Sequence, residues 1–548
     1  MRRFNDKRIF LAIIAISLIA YFPLLFSQSI IWDDSLIYYS IVQKKFYIIY
    51  DWLLSERHPQ RAYISWFIGM LPNFVFWNKV ISFVSVIVCW CFTAICLKEI
   101  NIIKNIETLV LVVLVGLVYP IYSLQFSLTM VPYSVSHALY WVAVYFVVKH
   151  IQRNKIISIP LLLSLPLLFL AFSYEALLFH FYAILLVLFY YNIKRNIRPI
   201  KLISLLALPA LFPIIYYLWT ATLSMPIDTY TDYNRILFPL NFLLVLKNLV
   251  MSIIYLFATP LMLIKMYYLK DVTGLILIFI FVLLLCSVCY RFLWEPIRSG
   301  ENLKKEHCSK NSLANVNMLI TGFWLLIVSL LPYCLINKPL YWFGLSTRYG
   351  ILATLPLALI VVSIFNIISE RLKIDHRLSV QRILFSSLVI IFSSLTLLNL
   401  ISWENKHIKH LSIVEHLKSY NSNSFNRVLT VKDLSEIGYP DRLSISEINL
   451  MFYRAWGKVS QVGIVDGSEL VYTFPKKEHR KYYMLEDVNL KEGKLPQKTA
   501  ITQITVLRDT NLNMIKLYLK YNINRFFGDR ELFLQQLIKL DIKETYIN

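Results

Sequence analysis

The chain has 548 residues, 57 % of them hydrophobic and only 16 % charged, with a mean hydropathy of +0.59. Soluble proteins of this size carry far more charge, so the composition excludes an ordinary globular protein and points to a polytopic α-helical membrane protein. The net charge of +22 does not argue for nucleic acid, because the basic residues cluster in short segments between apolar runs, as at 149–155 and 194–198, where cytoplasmic loops are expected.

The first apolar run, Ile9–Ser27, is long enough to cross a bilayer as a helix. The basic segment Met1–Arg8 keeps its start in the cytoplasm, and no small-residue cleavage site follows, so it reads as an uncleaved span rather than a secretory signal. Ile30-Ile31-Trp32-Asp33-Asp34-Ser35 then emerges on the far side, at the head of a long external loop, 28–77. Within this loop Ser35–Val42 reads as a short surface helix. A charged cluster follows at Asp51, Glu56, Arg57, His58 and Arg61, and Tyr63–Trp77, broken by Gly69 and Pro72, dips into the membrane or lies flat.

Further spans are expected at Val80–Leu97, Leu109–Leu124, Ser136–Val148, Ile156–Phe172, Ala176–Tyr191 and Leu202–Trp219. The tight turn Phe172-Ser173-Tyr174-Glu175 puts a lone carboxylate at the outer end of a hairpin, and a polar loop runs from Ser224 to Arg235. Residues 236–267 and Leu275–Tyr290 are also apolar. With Leu202–Trp219 they make three runs between two basic segments, where an even number of crossings is required. Either 236–267 holds a re-entrant or doubly crossing pair, or the basic loop at 291–312 is external.

Beyond it come Val316–Ile336 outward, an external loop Asn337–Thr347, Tyr349–Ile368 inward and Ile383–Ile401 outward, giving about 11–13 spans in all. The expected organisation is a multi-span unit over 1–402 and a soluble α/β unit over 403–548, on the same side as the aspartate pair. In the latter, 427–431 and 500–506 read as strands, and 444–456, 512–526 and 530–540 have helical spacing. The cysteines sit in apolar runs except Cys308. Cys286 and Cys289 have CxxC spacing but leucine-rich surroundings, so neither a zinc site nor a disulfide framework is supported.

Asp33 and Asp34 are the leading candidates for chemistry. Ionised carboxylates are costly in hydrocarbon, so a catalytic pair belongs at the water-facing edge of a span. Transfer to a hydroxyl needs a base to take its proton. The plainer alternative is that one of them caps the following helix. Glu175, among aromatic neighbours, is a second acidic candidate. Arg348, at the head of a span, is the first choice for holding a phosphate, whose oxygens match the guanidinium fork. Arg57, His58, Arg61 and Arg235 are alternatives, each also suited to anchoring in headgroups. Trp32, Tyr230, Asp232 and Tyr233 suit a sugar or acceptor pocket, although an aromatic belt accounts for most tyrosines. No Walker loop, dinucleotide fingerprint, HExxH or GxSxG pattern is present, so no nucleotide cofactor is expected.

This layout resembles the GT-C superfamily of membrane glycosyltransferases. The likeness rests on the basic N-terminus, one span, Asp33-Asp34 in a long first external loop, many further spans and an external tail. It is similar to the bacterial branch that modifies O-antigen or other surface polysaccharide from polyprenyl-phosphate sugars. The resemblance implies an inverting transfer in the inner membrane, facing the periplasm. The donor would be an undecaprenyl-phosphate-linked sugar, the acceptor a glycan or glycolipid, and Asp34 or Asp33 the base. Its implications leave a divalent cation open, and the 121–136 turn departs from the family in lacking an acidic residue. An O-antigen polymerase and a lipid-linked oligosaccharide flippase are the alternatives. The glycosyltransferase reading requires the aspartate pair and Arg348 to face one cavity.

Overall fold

The computed structural model describes residues 2–56, 58–103, 105–121, 127–153, 158–192, isolated positions between 205 and 222, 241–289, 311–342, 344–369, 374–422, 425–426, 428–438, 443–459, 462–465, 473–474, 484, 493–494, 500–510 and 512–546. It opens with α1 (Arg2–Tyr21), followed across the first loop by the short α2 (Asp34–Val42), α3 (Phe46–Ser55) and α4 (Pro59–Gly69). The bundle continues through α5 (Phe74–Glu99), α6 (Ile106–Leu117), α7 (Val131–Ile151), α8 (Ile159–Ala171) and α9 (Ala176–Asn192). Helices Phe242–Lys270, Val272–Cys289, Asn311–Leu335 and Thr354–Ser369 follow, then one 45-residue helix, Ile374–Lys418.

Seven helices among the described residues are long and apolar enough to cross a bilayer, and Ile106–Leu117, Ile159–Ala171, Ala176–Tyr191 and Val272–Ser287 are apolar but shorter. The chain is a polytopic helical membrane protein. Some expected spans are shortened for a local reason. The run expected to reach Leu124 leaves the helix at Leu117, because Pro120 restricts the residue before it and cannot donate a backbone hydrogen bond. Where α5 crosses α6, Gly116 lies against the Trp90 ring, and a Cβ there would come within 2.1 Å of it. The two ends of the bundle are distinct. At the end expected to be cytoplasmic, Lys149 pairs with Glu99 at 2.9 Å and Asn366 bonds Asn315 at 3.3 Å. The opposite end, here the distal end, carries α2–α4.

The helix Ile374–Lys418 is about 68 Å long at 1.5 Å per residue. Residues Val389–Ile401 pack in the bundle core, while Trp403, Glu404, Lys406, His407, Lys409 and His410 are also buried. The boundary expected at 402/403 therefore falls inside an unbroken helix. Around its far half sits a sheet ordered β2-β1-β5-β6, from β1 (Val428–Asp433), β2 (Val462–Val465), β5 (Ala500–Arg508) and β6 (Ile538–Tyr546). β1 runs parallel to β2 and β5, and β6 is antiparallel to β5. A separate two-residue pair joins β3 (Thr473–Phe474) to β4 (Gly493–Lys494).

Helices Ile445–Trp456, Met514–Phe527 and Arg530–Gln535 complete the described part of this unit. The helix expected to reach Leu540 stops at Gln535. From Ile538 onward Ile, Leu and Ile alternate with Lys, Asp and Lys, a period of two that suits an extended strand.

Candidate functional site

The site starts at the turn between α1 and α2. Trp32 is left-handed (φ 49°), a backbone state that a bulky residue holds only when its surroundings fix it. Its N–H donates to Glu447 Oε1 at 3.0 Å, and its carbonyl accepts from Ser446 Oγ at 3.4 Å. Its ring meets Trp403 edge-on at 4.5 Å. The Lys406 ammonium stands over both rings at 5.5 and 5.6 Å. The strained residue thus fixes the direction in which the next one leaves.

Asp33 and Asp34 consequently have different surroundings. Asp33 occupies the N-cap position of α2 but makes no side-chain cap hydrogen bond, so its carboxylate is not used by the helix, and it is half-buried. Asp34 is fully buried. Its Oδ1 accepts from the Thr129 N–H at 2.8 Å and from Thr129 Oγ1 at 2.7 Å. That carboxylate ties the first loop to the start of α7.

Asp33 belongs to a cluster of charged groups from several segments that act on one another, termed the recess below. The α3–α4 junction contributes Glu56, His58 and Arg61. His58 Nε2 lies 3.0 Å from Glu175 Oε1, with His58 2 % and Glu175 58 % exposed. Glu175, in the α8–α9 turn, is therefore open to its surroundings while its partner is buried. Arg61 donates to Tyr133 Oη at 2.6 Å and to the Ser173 carbonyl, with its guanidinium 4.2 Å from the Tyr133 ring centre. A row of tyrosines continues from there. Tyr133 meets Tyr174 at 5.0 Å, the Tyr174 and Tyr333 hydroxyls are hydrogen-bonded, and Tyr333 meets Tyr349 at 4.7 Å. The row ends at Arg348, whose Nη2 donates to Tyr349 Oη at 3.3 Å. Arg348 sits in a nine-residue 3-10 helix, Leu345–Ala353, far longer than such helices usually run.

The electrostatics follow from burial and mixed charge. Burial pushes the Asp33 carboxyl above the usual carboxylate range, Arg348 pulls it back and Glu447 adds to the rise. Burial likewise pushes Glu56 up to about 6, opposed by Arg61 and Arg348. Lys338 is pushed down to about 8 by burial and by Arg348. Burial and Arg61 lower His58, and Glu175 opposes them. Burial works against the Glu175 charge, but His58 and Arg61 outweigh it and hold this carboxyl below its ordinary value. The recess thus sets the carboxyls Asp33, Glu56 and Glu175 against the cations Arg61, Lys338 and Arg348.

Of the residues singled out in the sequence, Asp33, Glu175, His58, Arg61 and Arg348 are brought together. Asp34 lies outside the recess, pointing to Thr129. Trp32 is 5 % exposed and packs against Trp403, which removes it from any sugar-facing role. Arg57, Tyr230, Asp232, Tyr233 and Arg235 lie outside the described residues. Sequence reasoning missed Lys338, which lies in an external loop like Arg348 and was findable by the same argument. It also passed over Glu56 as a site residue, and the tyrosine row, which an aromatic belt hides. Among the described residues no group of three or more His, Cys, Asp or Glu side chains is arranged to hold a metal ion. The carboxyls here are interleaved with cations. No protein-family model matches the sequence, and no curated protein or solved structure shows significant similarity to it.

Proposed function

We propose that this protein is an inverting membrane glycosyltransferase. In this reading it moves a sugar from a polyprenyl-phosphate donor, of the undecaprenyl type, to a hydroxyl of a surface glycan or glycolipid. The distal end faces the periplasm or exterior of a bacterial inner membrane. One observation carries the reading: Asp33, uncommitted to its helix, is electrostatically coupled to Arg348, and through Glu56 to Lys338, two cations delivered by a different loop. A base beside an anion seat is what a displacement at a glycosyl phosphate requires.

Asp33 accepts the proton of the acceptor hydroxyl as its oxygen forms the new bond to the anomeric carbon. The bond from that carbon to the phosphate oxygen breaks on the opposite face, and the phosphate leaves with the electron pair. Arg348 and Lys338 stabilise the departing charge, a task for which pre-positioned cations contribute about 3–4 kcal/mol. The base contributes on the order of 10²–10⁴-fold. Asp34, expected first as the base, is replaced in that role by Asp33, because Asp34 is fully buried and Thr129 takes one of its oxygens. The His58–Glu175 pair and the tyrosine row supply a wall for sugar hydroxyls and CH faces.

The test is transfer of labelled sugar from undecaprenyl-phosphate sugar in proteoliposomes. Asp33→Asn is expected to abolish transfer and Asp34→Asn to retain it, with both proteins inserting normally. Full transfer by Asp33→Asn ends the base assignment. In a deletion strain, unchanged glycan length with one substituent missing supports a transferase, whereas loss of polymer assigns the protein as a polymerase. Movement of the intact lipid without cleavage assigns it as a transporter.

A further inference from the structure

The helix Phe242–Lys270 has the length and composition of a span, yet its partners all lie at one end of the bundle. Asn248 Nδ2 donates to Asn337 Oδ1 at 2.9 Å, and Ser252 Oγ accepts from the Leu340 N–H at 3.0 Å. The Tyr255 and Tyr341 rings lie 5.4 Å apart, and the Tyr119 hydroxyl bonds the Leu256 carbonyl. Tyr267 Oη donates to Asn399 Oδ1 at 3.2 Å, and Asp271, just past the helix, accepts from the Met514 N–H at 2.9 Å.

These partners are themselves neighbours at the distal end. Asn399 donates to the Pro120 carbonyl at 3.4 Å, and Gly350 packs between Ile121 and Leu340. From Asn248 to Asp271 the axis covers about 35 Å at 1.5 Å per residue, more than the hydrocarbon thickness of a bilayer. A crossing helix of that length carries one end to the Glu99–Lys149 side, and no contact described for this one lies there.

The two faces of the helix agree with this placement. Asn248, Ser252, Leu256, Thr259, Leu263 and Tyr267 are buried, a stripe at helical spacing that holds the asparagine, serine and threonine of the helix. The opposite stripe is exposed and apolar: Leu243, Leu246, Val250, Ile254, Phe257 and Leu261, with Leu243 77 % and Leu261 70 % exposed. Lys247 and Lys265, also exposed, flank that stripe, where long cationic side chains reach headgroups from a shallow depth.

We propose that Phe242–Lys270 does not cross the membrane but lies in the plane of the distal leaflet, with its Leu243–Leu261 stripe seated among the acyl chains of that leaflet. Its inner stripe holds the 337–341 loop, and therefore Lys338, at the lipid edge of the recess. The inference stands whether or not the protein transfers sugars. It also removes the odd count of crossings between the basic segments at 194–201 and 291–310. With this helix in the plane, the run 202–219 and the helix Val272–Cys289 remain as the two crossings.

Single-cysteine labelling with a membrane-impermeant maleimide tests the placement, with the unsubstituted chain as the blank. Lys44→Cys marks the distal side and Gln152→Cys the other side. Phe242→Cys and Leu269→Cys are expected to label from the same side as Lys44→Cys, without permeabilisation. Labelling of Phe242→Cys only from the Gln152 side overturns the proposal. If both ends are too deep to label, a nitroxide on Phe257→Cys decides by its depth in liposomes of phosphatidylethanolamine and phosphatidylglycerol. A position near the headgroup boundary supports an in-plane helix, and one at the bilayer centre overturns it.

Discussion

Two regions flank the turn at Trp32, both rich in charge, and they use it in opposite ways. Behind the turn, along the far half of Ile374–Lys418, several buried charged groups have close partners. Lys79 Nζ donates to the Ser29 carbonyl and hydroxyl at 3.1 and 3.0 Å, Glu404 accepts from Ser27 Oγ at 2.5 Å, and Lys406 pairs with Glu447 at 3.2 Å, both fully buried. In front of the turn, Asp33, Glu56, Lys338 and Arg348 form a mixed group that is coupled electrostatically. A matched pair has little left to offer a substrate. A half-buried carboxylate that makes no bond to its own helix, set among charges of both signs, suits the incoming hydroxyl and phosphate of the proposed reaction. The rear seam holds the turn, and the front group is where the proposed reaction would take place.

Substitutions that treat the two regions alike would break this contrast. The largest effect is expected at Asp33→Asn, a loss of about 10²–10⁴-fold in kcat with the melting temperature unchanged, read by transfer assay and thermal unfolding. Glu447→Ala should do the reverse. It strands a buried lysine and frees the Trp32 N–H, costing about 3–5 kcal/mol of stability, measured as a fall in Tm. Glu447→Gln keeps an acceptor for that N–H and should recover part of the loss. If Glu447→Ala left Tm intact, the seam would not be what holds the turn.

Next in size is Arg348→Ala, with about 10²–10³-fold lost from kcat/KM. Arg348→Lys should restore little of it, because a point charge does not reproduce the guanidinium fork.

Glu56→Gln sharpens the comparison through pH. Glu56 titrates near 6 against an ordinary 4.5. The folded state therefore holds this proton more tightly than the unfolded state, and stability falls as pH rises through that window. At 1.36 kcal/mol per unit, the ionised group costs about 2 kcal/mol above pH 6. The glutamine variant should match the parent near pH 4 and melt higher at pH 7, and a constant difference across that range would remove Glu56 from the charge balance of the recess. The smallest effect is expected at Asp34→Asn, which retains an oxygen for Thr129. Transfer should stay within a few-fold of the parent, and Asp34→Ala should cost about 1–3 kcal/mol by leaving Thr129 unsatisfied.

Much of the framework was legible because it follows from local rules. The aspartates appear where the first apolar run ends, α2 forms where a surface helix was expected, and β1 and β5 begin within a residue or so of their β-branched runs. Arg348 was legible because a cation on the far side of a membrane needs a reason to be there. The choice between Asp33 and Asp34 was not legible. It depends on the left-handed Trp32, which is imposed by Glu447 from more than four hundred residues away. The lie of Phe242–Lys270 was hidden for a related reason. Hydropathy records that a segment is apolar, but whether it crosses or skirts a bilayer is decided by the partners of its polar stripe. The continuity of Ile374–Lys418 was concealed by composition, since its polar half is sheltered by protein that the local sequence does not reveal.

That unbroken helix bears on how the molecule can be divided. A stop codon after Ser402 would not release a smaller intact unit, because it strips away the residues that press Trp32 into place. For the same reason, grafting this carboxy-terminal segment onto a related transporter or transferase should fail unless residues 27–34 travel with it. Chimeras built on that rule would behave as if two distant stretches of the gene were one inherited part.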